Sequence, residues 1–249
     1  VERSLLSITR ARVRDKQSTG DLMKFRLFLT ALLAAICQSA SAGPLTVDLG
    51  GFLCADNQAC DSNPATNVMT VTAGLDGVPS VPGYNIAIAT SFSNNPGSPN
   101  FNILDLTWTV ASLGTAGGPL TVAVSQTGFA NGPLGASQLT STCSGDVLGI
   151  GTVTCQQWVN LSNTLFGLGS ITPGAQGPFS DVGFTDTART LYNGSVPYSI
   201  TDRLIFNLAA TNTSTGDLVS TTTKVPEPAT LLLLGGALVV GGIMRRKKV

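Results

Sequence analysis

Histidine is absent from the 249-residue sequence, and that absence removes several chemistries at once. Neither a Ser-His-Asp nor a Cys-His relay can be assembled in its usual form, and a histidine-ligated metal site is excluded. Cations are scarce in the middle of the chain. Between Gly43 and Lys224 only Arg189, Arg203 and Lys224 stand against ten aspartates, and no glutamate occurs there. A nucleic-acid partner is set aside on that ground, because neutralising phosphates needs clustered Lys and Arg. Glycoside hydrolysis needs only paired carboxyls. The nearest tempting pair, Asp181 and Asp186, is separated by five residues, a spacing that puts the two on opposite faces of a strand. C-x-x-C spacing is also missing, so zinc has no ordinary ligand set. The middle stretch shows no sustained 3.6-residue period, which argues against helices.

What is present is concentrated at the two ends. The formal net charge of zero hides a segregation: seven basic residues precede Ala42, and Arg245, Arg246, Lys247 and Lys248 lie at the other end. Met23-Lys24-Phe25-Arg26 supplies a positive start, Leu27 to Ile36 an apolar stretch, and Ala40-Ser41-Ala42 a small-x-small site. This order reads as a signal peptide over residues 23–42, cut by signal peptidase between Ala42 and Gly43. The apolar run is shorter than the ~20 residues a membrane span needs. Residues 1–22, basic and without apolar periodicity, read as an upstream extension with Met23 the true start, and they carry no fold expectation.

Three elements follow in order near the C-terminus: Val225-Pro226-Glu227-Pro228, an uncharged apolar segment to Met244, and the basic cluster Arg245 to Lys248. Pro226 and Pro228 hold the backbone extended ahead of the apolar segment. From Ala229 to Met244 the segment has sixteen residues, about 24 Å as a helix, a short span whose terminal Arg and Lys can reach the headgroups. Leu231, Leu234, Val239 and Met244 belong to this expected transmembrane anchor, and four cations after it favour leaving that end in the cytoplasm.

The order Val-Pro-Glu-Pro, short Gly-containing apolar helix and basic cluster resembles the PEP-CTERM sorting signal, also catalogued as an ice-binding protein C-terminal motif. That second label gives no warrant for ice binding by the rest of the chain. The resemblance covers residues 225–248, about a tenth of the sequence, within a tail that runs over 225–249. It implies a Gram-negative host and an exosortase, an integral-membrane cysteine transpeptidase, as the enzyme that recognises Pro226, Glu227 and Pro228 and cleaves the tail. It also implies transient residence in the inner membrane, followed by release to the cell surface or extracellular matrix, where extracellular polysaccharide is the expected surrounding.

Residues 43–224 read as one extracellular all-β domain. Leu104, Leu106, Trp108 and Val110 alternate with Asp105, Thr107 and Thr109; Leu120, Val122 and Val124, and Leu204, Phe206 and Leu208, repeat the pattern. Period-two alternation suits half-buried antiparallel strands. Further strands are expected at 45–49, 68–73, 84–92, 153–161, 179–186 and 218–223. Turn clusters such as Asn94-Asn95-Pro96-Gly97 separate them, and the sum predicts an antiparallel, jelly-roll-like β-sandwich, with a barrel as the second reading.

With Cys37 in the signal peptide, four cysteines remain. Four allow three connectivities. Gly149 lies midway between Cys143 and Cys155, which predicts a hairpin joining those two, while Cys54 and Cys60 close a small loop. That loop carries Asp56 and Asp61, oxygen donors that suggest a weak Ca²⁺ site, although the spacing is not an EF-hand's; no other cofactor is expected. Trp108 shares the parity of core residues, whereas Trp158 has Thr154, Gln156 and Asn160 on its own side and is the candidate for stacking on a sugar. The favoured expectation is a non-catalytic surface or biofilm-matrix protein. A carbohydrate-binding module is the alternative, and a carboxylate-dependent hydrolase the third.

Overall fold

The alternation of apolar and polar side chains along Phe101–Ser112 is realised as a single strand whose even-numbered residues are buried and whose odd-numbered residues face outward. The computed structural model describes residues 43–114 and 118–226. These form twelve strands: β1 (Thr46–Leu49), β2 (Phe52–Ala55), β3 (Val68–Thr72), β4 (Tyr84–Ser93), β5 (Phe101–Ser112), β6 (Leu120–Phe129), β7 (Gly135–Leu148), β8 (Gly151–Asn160), β9 (Gln176–Phe179), β10 (Phe184–Gly194), β11 (Tyr198–Leu208) and β12 (Thr213–Lys224). No helix occurs among the described residues. The expected signal peptide and transmembrane helix lie outside them, so no described helix is long and apolar enough to cross a membrane.

The strands make two six-stranded sheets, ordered β2-β1-β6-β11-β8-β9 and β10-β7-β12-β5-β4-β3. The strand pairings within them are antiparallel. The chain crosses between sheets at β2 to β3, β5 to β6, β6 to β7, β7 to β8, β9 to β10, β10 to β11 and β11 to β12, and the buried side chains of both sheets form one apolar core. Trp108 of β5 and Phe206 of β11 meet across it edge to face at 6.1 Å, the arrangement aromatic quadrupoles prefer. Sandwich rather than barrel is therefore the architecture.

Three local expectations change. Cys143 and Cys155 are joined, but not across a hairpin. β7 pairs with β10 and β12 while β8 pairs with β11 and β9, so Gly149 sits at a corner between sheets and the bridge runs through the core. Second, the strand expected at 179–186 is interrupted: β9 ends at Phe179 and β10 begins at Phe184, leaving Asp181 in the turn and Asp186 exposed on β10. Third, β7 is fourteen residues long where only a hairpin arm about Cys143 was expected, because its inward positions alternate Leu139 and Cys143 with the small Ser137 and Ser141, and small polar residues hide the apolar period.

Gly216 of β12 lies opposite Trp108 and leaves room for the indole, whose Nε1 donates to Ser214 Oγ at 3.2 Å. A methyl group at 216 would stand 2.5 Å from Trp108 Cζ2 and against the Ser144 carbonyl. Gly216→Ala is therefore expected to destabilise by about 2 kcal/mol or more through overpacking. Urea denaturation checks this, and an unchanged midpoint would show that the indole can move aside.

Candidate functional site

The outer face of the first sheet carries the sugar-stacking candidate. Trp158 lies beside Thr201 of β11, and Gln156 beside Arg203. The Arg203 guanidinium lies over the indole, with Cζ 4.6 Å from the ring centroid, and its Nε donates to Gln156 Oε1 at 3.0 Å. Cation–π attraction and the fork geometry together hold the arginine there. Trp158 is left only 9% exposed. The ring thus offers no open face for a sugar, which corrects the reading of Trp158 as a stacking platform: its polar neighbours mark a covered outer face, not a free one.

The neighbouring part of this face is covered by residues 161–171. Ser199 Oγ donates to the Thr164 carbonyl at 2.8 Å, Phe166 N–H donates to Ser125 Oγ at 3.0 Å, and Gly128 N–H donates to Asn163 Oδ1 at 2.8 Å. Beneath the loop Ser125, Ser199 and Thr201 are buried although they point away from the core. Outward hydroxyls read from sequence as solvated, so nothing in the residue pattern announces this layer.

The calcium candidates separate. Asp61 accepts N–H groups from Asn57, Asn63 and Thr70 at 3.2, 2.9 and 2.9 Å, which makes it the clasp of the loop closed by the Cys54–Cys60 bridge. Asp56 instead turns toward Asn67, whose N–H donates to its Oδ2 at 2.8 Å. No group of three or more His, Cys, Asp or Glu side chains suited to a metal occurs among the described residues.

Acids that the sequence reading did not single out gather around the second sheet. Asp105 of β5 and Asp217 of β12 share its outer face, two residues apart in register, and Thr107 Oγ1 donates to Asp217 Oδ1 at 2.9 Å. Burial, with the Asp217 carboxylate beside it, pushes the Asp105 carboxyl up to about 7. On the inner side Asp202 is fully buried and accepts from Ser220 Oγ. Its burial drives the carboxyl well above the usual range, against the pull of that hydroxyl. A cleft of about 570 Å³ opens near the β7–β8 corner, yet Gly149, Ile150, Thr152, Ser180 and Asn207 bring it no acid, amine or thiol.

The C-terminal strand leads into the last site. β12 is held between β5 and β7 up to Lys224; Lys224 N–H then donates to the Asn100 carbonyl at 3.1 Å and Val225 N–H to the Ala136 carbonyl at 2.9 Å. At the other end of the domain Gly43 N–H donates to the Thr127 carbonyl at 3.1 Å. Thr127 and Ala136 flank the β6–β7 connection, so the residue after the expected signal cleavage and the first residue of the Val-Pro-Glu-Pro motif leave the sandwich at the same rim. Residues 224–248 match the family model described as the PEP-CTERM protein-sorting motif. The chain carries a PEP-CTERM sorting signal. The PEP-CTERM motif begins while the chain is still hydrogen-bonded to the domain. Glu227, Pro228, the anchor residues Leu231, Leu234, Val239 and Met244, and the basic residues Arg245, Arg246, Lys247 and Lys248 lie outside the described residues, as do Ala40 and Ala42.

No curated protein matches the chain in sequence. Among solved structures, the chain is similar to TmCBM61 in complex with β-1,4-galactotriose, at 8% identity and a TM-score of 0.29, covering 57% of this chain and 90% of that one. It is also similar to TmCBM27, a carbohydrate-binding module studied for specific mannan recognition, at 11% identity and a TM-score of 0.29, covering 64% and 90% respectively. The adhesin domain of Epf from Streptococcus pyogenes is similar at 10% identity and a TM-score of 0.20, covering 76% of this chain and 54% of that chain.

Proposed function

We propose that this is an exported, non-catalytic protein of the cell surface or exopolysaccharide matrix, held in the inner membrane by its tail until an exosortase processes it. The observation that carries the reading is the PEP-CTERM match at residues 224–248, joined without a linker to the last strand of a disulfide-bonded sandwich. Disulfides persist outside the reducing cytoplasm, which supports export. Lack of histidine, a cleft without titratable groups and a covered Trp158 favour a structural role over hydrolysis or sugar stacking.

The test follows the tail in the native host, with one tag inserted after Lys224 and another after Val249, in the presence and absence of the exosortase. Loss of the distal tag only when that enzyme is present is the expected result. Retention of both tags in the membrane under both conditions would leave the tail a plain anchor and sink the processing step. Because Val225 is still hydrogen-bonded to Ala136, a flexible insert between Lys224 and Val225 is expected to speed processing if access of the enzyme to the motif is limiting.

A further inference from the structure

Three residues that each hydrogen-bond one asparagine, at the rim from which the tail leaves, carry a buried side-chain oxygen with no hydrogen-bond partner. Asn67 donates its N–H to Asp56 Oδ2 at 2.8 Å and its Nδ2 to the Asn95 carbonyl at 3.1 Å. Its Oδ1 accepts from Gln126 Nε2 at 2.8 Å. Each of the three partners has a side-chain oxygen left over: Asp56 Oδ1, Asn95 Oδ1 and Gln126 Oε1 are all buried and unpartnered. Gln126 is wholly buried and Asn95 only 6% exposed.

Turning the amides around does not remove the problem. Gln126 Nε2 already donates to both Asn67 Oδ1 and the Gly43 carbonyl, and Asn95 Nδ2 donates to the Thr127 carbonyl at 2.7 Å. A flip of either amide would set oxygen against oxygen. The cluster is therefore rich in acceptors and short of donors. Leaving a buried acceptor unmade is costly, and three in one neighbourhood, one of them a carboxylate oxygen, call for a positively charged partner. All three are hard oxygen ligands, the donor type that calcium selects.

We propose that the Asn67 hub binds one Ca²⁺ through Asp56 Oδ1, Asn95 Oδ1 and Gln126 Oε1, with water filling the remaining positions. Asp61, committed to three backbone N–H groups, is not a ligand. A single carboxylate makes the site weak, in the range of about 10⁻⁴–10⁻³ M found for extracellular modules. Such a site is empty at cytosolic calcium and fills outside the cell. Filling it ties together Gly43, the β4–β5 loop and the segment before β3 on the rim from which Val225 leaves the sandwich.

The test uses the full chain, stripped of divalent ions with a chelator and held in detergent. Its thermal midpoint is compared in about 5 mM CaCl₂, in MgCl₂ at the same concentration, and in NaCl of equal ionic strength. A rise of about 3–5 °C in calcium alone is expected, and equilibrium dialysis should find one calcium per chain. Asp56→Asn and Gln126→Leu should abolish both signals, and Asp61→Asn should keep the calcium shift from a lower starting midpoint. Where Asp56→Asn does not fold, dialysis on the unaltered chain still decides the stoichiometry. Equal shifts in all three salts would mean ionic screening with water alone in the hub. That result, no bound calcium, or a shift that survives Asp56→Asn would overturn the proposal.

Discussion

Replacing Cys143 and Cys155 together by alanine is expected to lower the stability of the sandwich by about 4 kcal/mol, more than any other change in its covalent frame. The bridge spans twelve residues of chain. Loop-closure entropy alone assigns such a crosslink about 3 kcal/mol. Its position adds to this. Both cysteines are fully buried, Cys143 facing inward from β7 and Cys155 from β8, and the two strands belong to different sheets. Removing the sulfurs leaves a void in the core between the layers, worth about 1 kcal/mol more. The Cys54–Cys60 bridge closes a loop of six at the edge of the first sheet, and its loss should cost about 2 kcal/mol. For a domain of this size the two double variants are expected to melt about 8–16 °C and 4–8 °C lower. Thermal unfolding by circular dichroism under oxidising conditions separates them. A smaller loss for the inter-sheet pair than for the loop pair would show that the sheets are held by packing alone.

The same bridge shows where sequence reasoning stops. Spacing favours pairing Cys143 with Cys155 among the three connectivities, because a glycine at the centre of so short a segment allows the chain to return on itself. It does not say whether the return lies within one sheet or between two. That choice depends on which strands flank β7 and β8, and their partners β12 and β11 follow more than forty residues later. Strands such as β5 and β11 were legible because large apolar side chains mark most of their inward positions, Leu104 to Val110 on β5 and Leu204 to Leu208 on β11. β7 and β10 were not: β7 fills its inward positions with serine as well as leucine, and β10 is an edge strand with mostly exposed residues.

The sites divide in the same way. The PEP-CTERM tail is local, its three parts contiguous in sequence, so a reader needs no fold to find it. Trp158 misled because its parity correctly placed it on an outer face, and an outer face was equated with solvent. The loop over Ser125, Thr201 and Ser199 and the arginine over the indole are tertiary facts. Asp56 and Asp61, neighbours in one loop, looked like a shared cation site. The fold gives Asp61 to backbone amides and Asp56 to Asn67, which also bonds Asn95 and Gln126, residues distant in sequence that no spacing rule connects.

Stability should fall as pH rises from about 4 to about 8, the reverse of the usual acid behaviour of a carboxylate-rich protein. Burial, and then Asp217, raise the Asp105 carboxyl to about 7, whereas an unfolded aspartate titrates near 3.9. Between those values the native state holds a proton that the unfolded state has released. Linkage then makes the unfolding free energy decrease with pH through that interval. The contribution of Asp105 is complete below about 4 and is lost as pH rises through about 7. Asp202, raised by burial, acts with the same sign. A shift of the size seen at Asp105 corresponds to about 4 kcal/mol if undiminished, and screening at a partly exposed carboxyl reduces it to about 2. Urea denaturation at pH 4 and pH 8 should therefore differ by about 2 kcal/mol in favour of pH 4, and most of that difference should remain between pH 5 and pH 8. Asp105→Asn should flatten most of that difference by stabilising the protein at pH 8. Asp217→Asn should weaken the dependence without removing it, because burial rather than the neighbouring charge is the larger cause. A midpoint that climbs from pH 5 to pH 8 in the unaltered protein would mean that Asp105 is ionised in the fold and that the outer face of the second sheet is more open to water than its packing indicates.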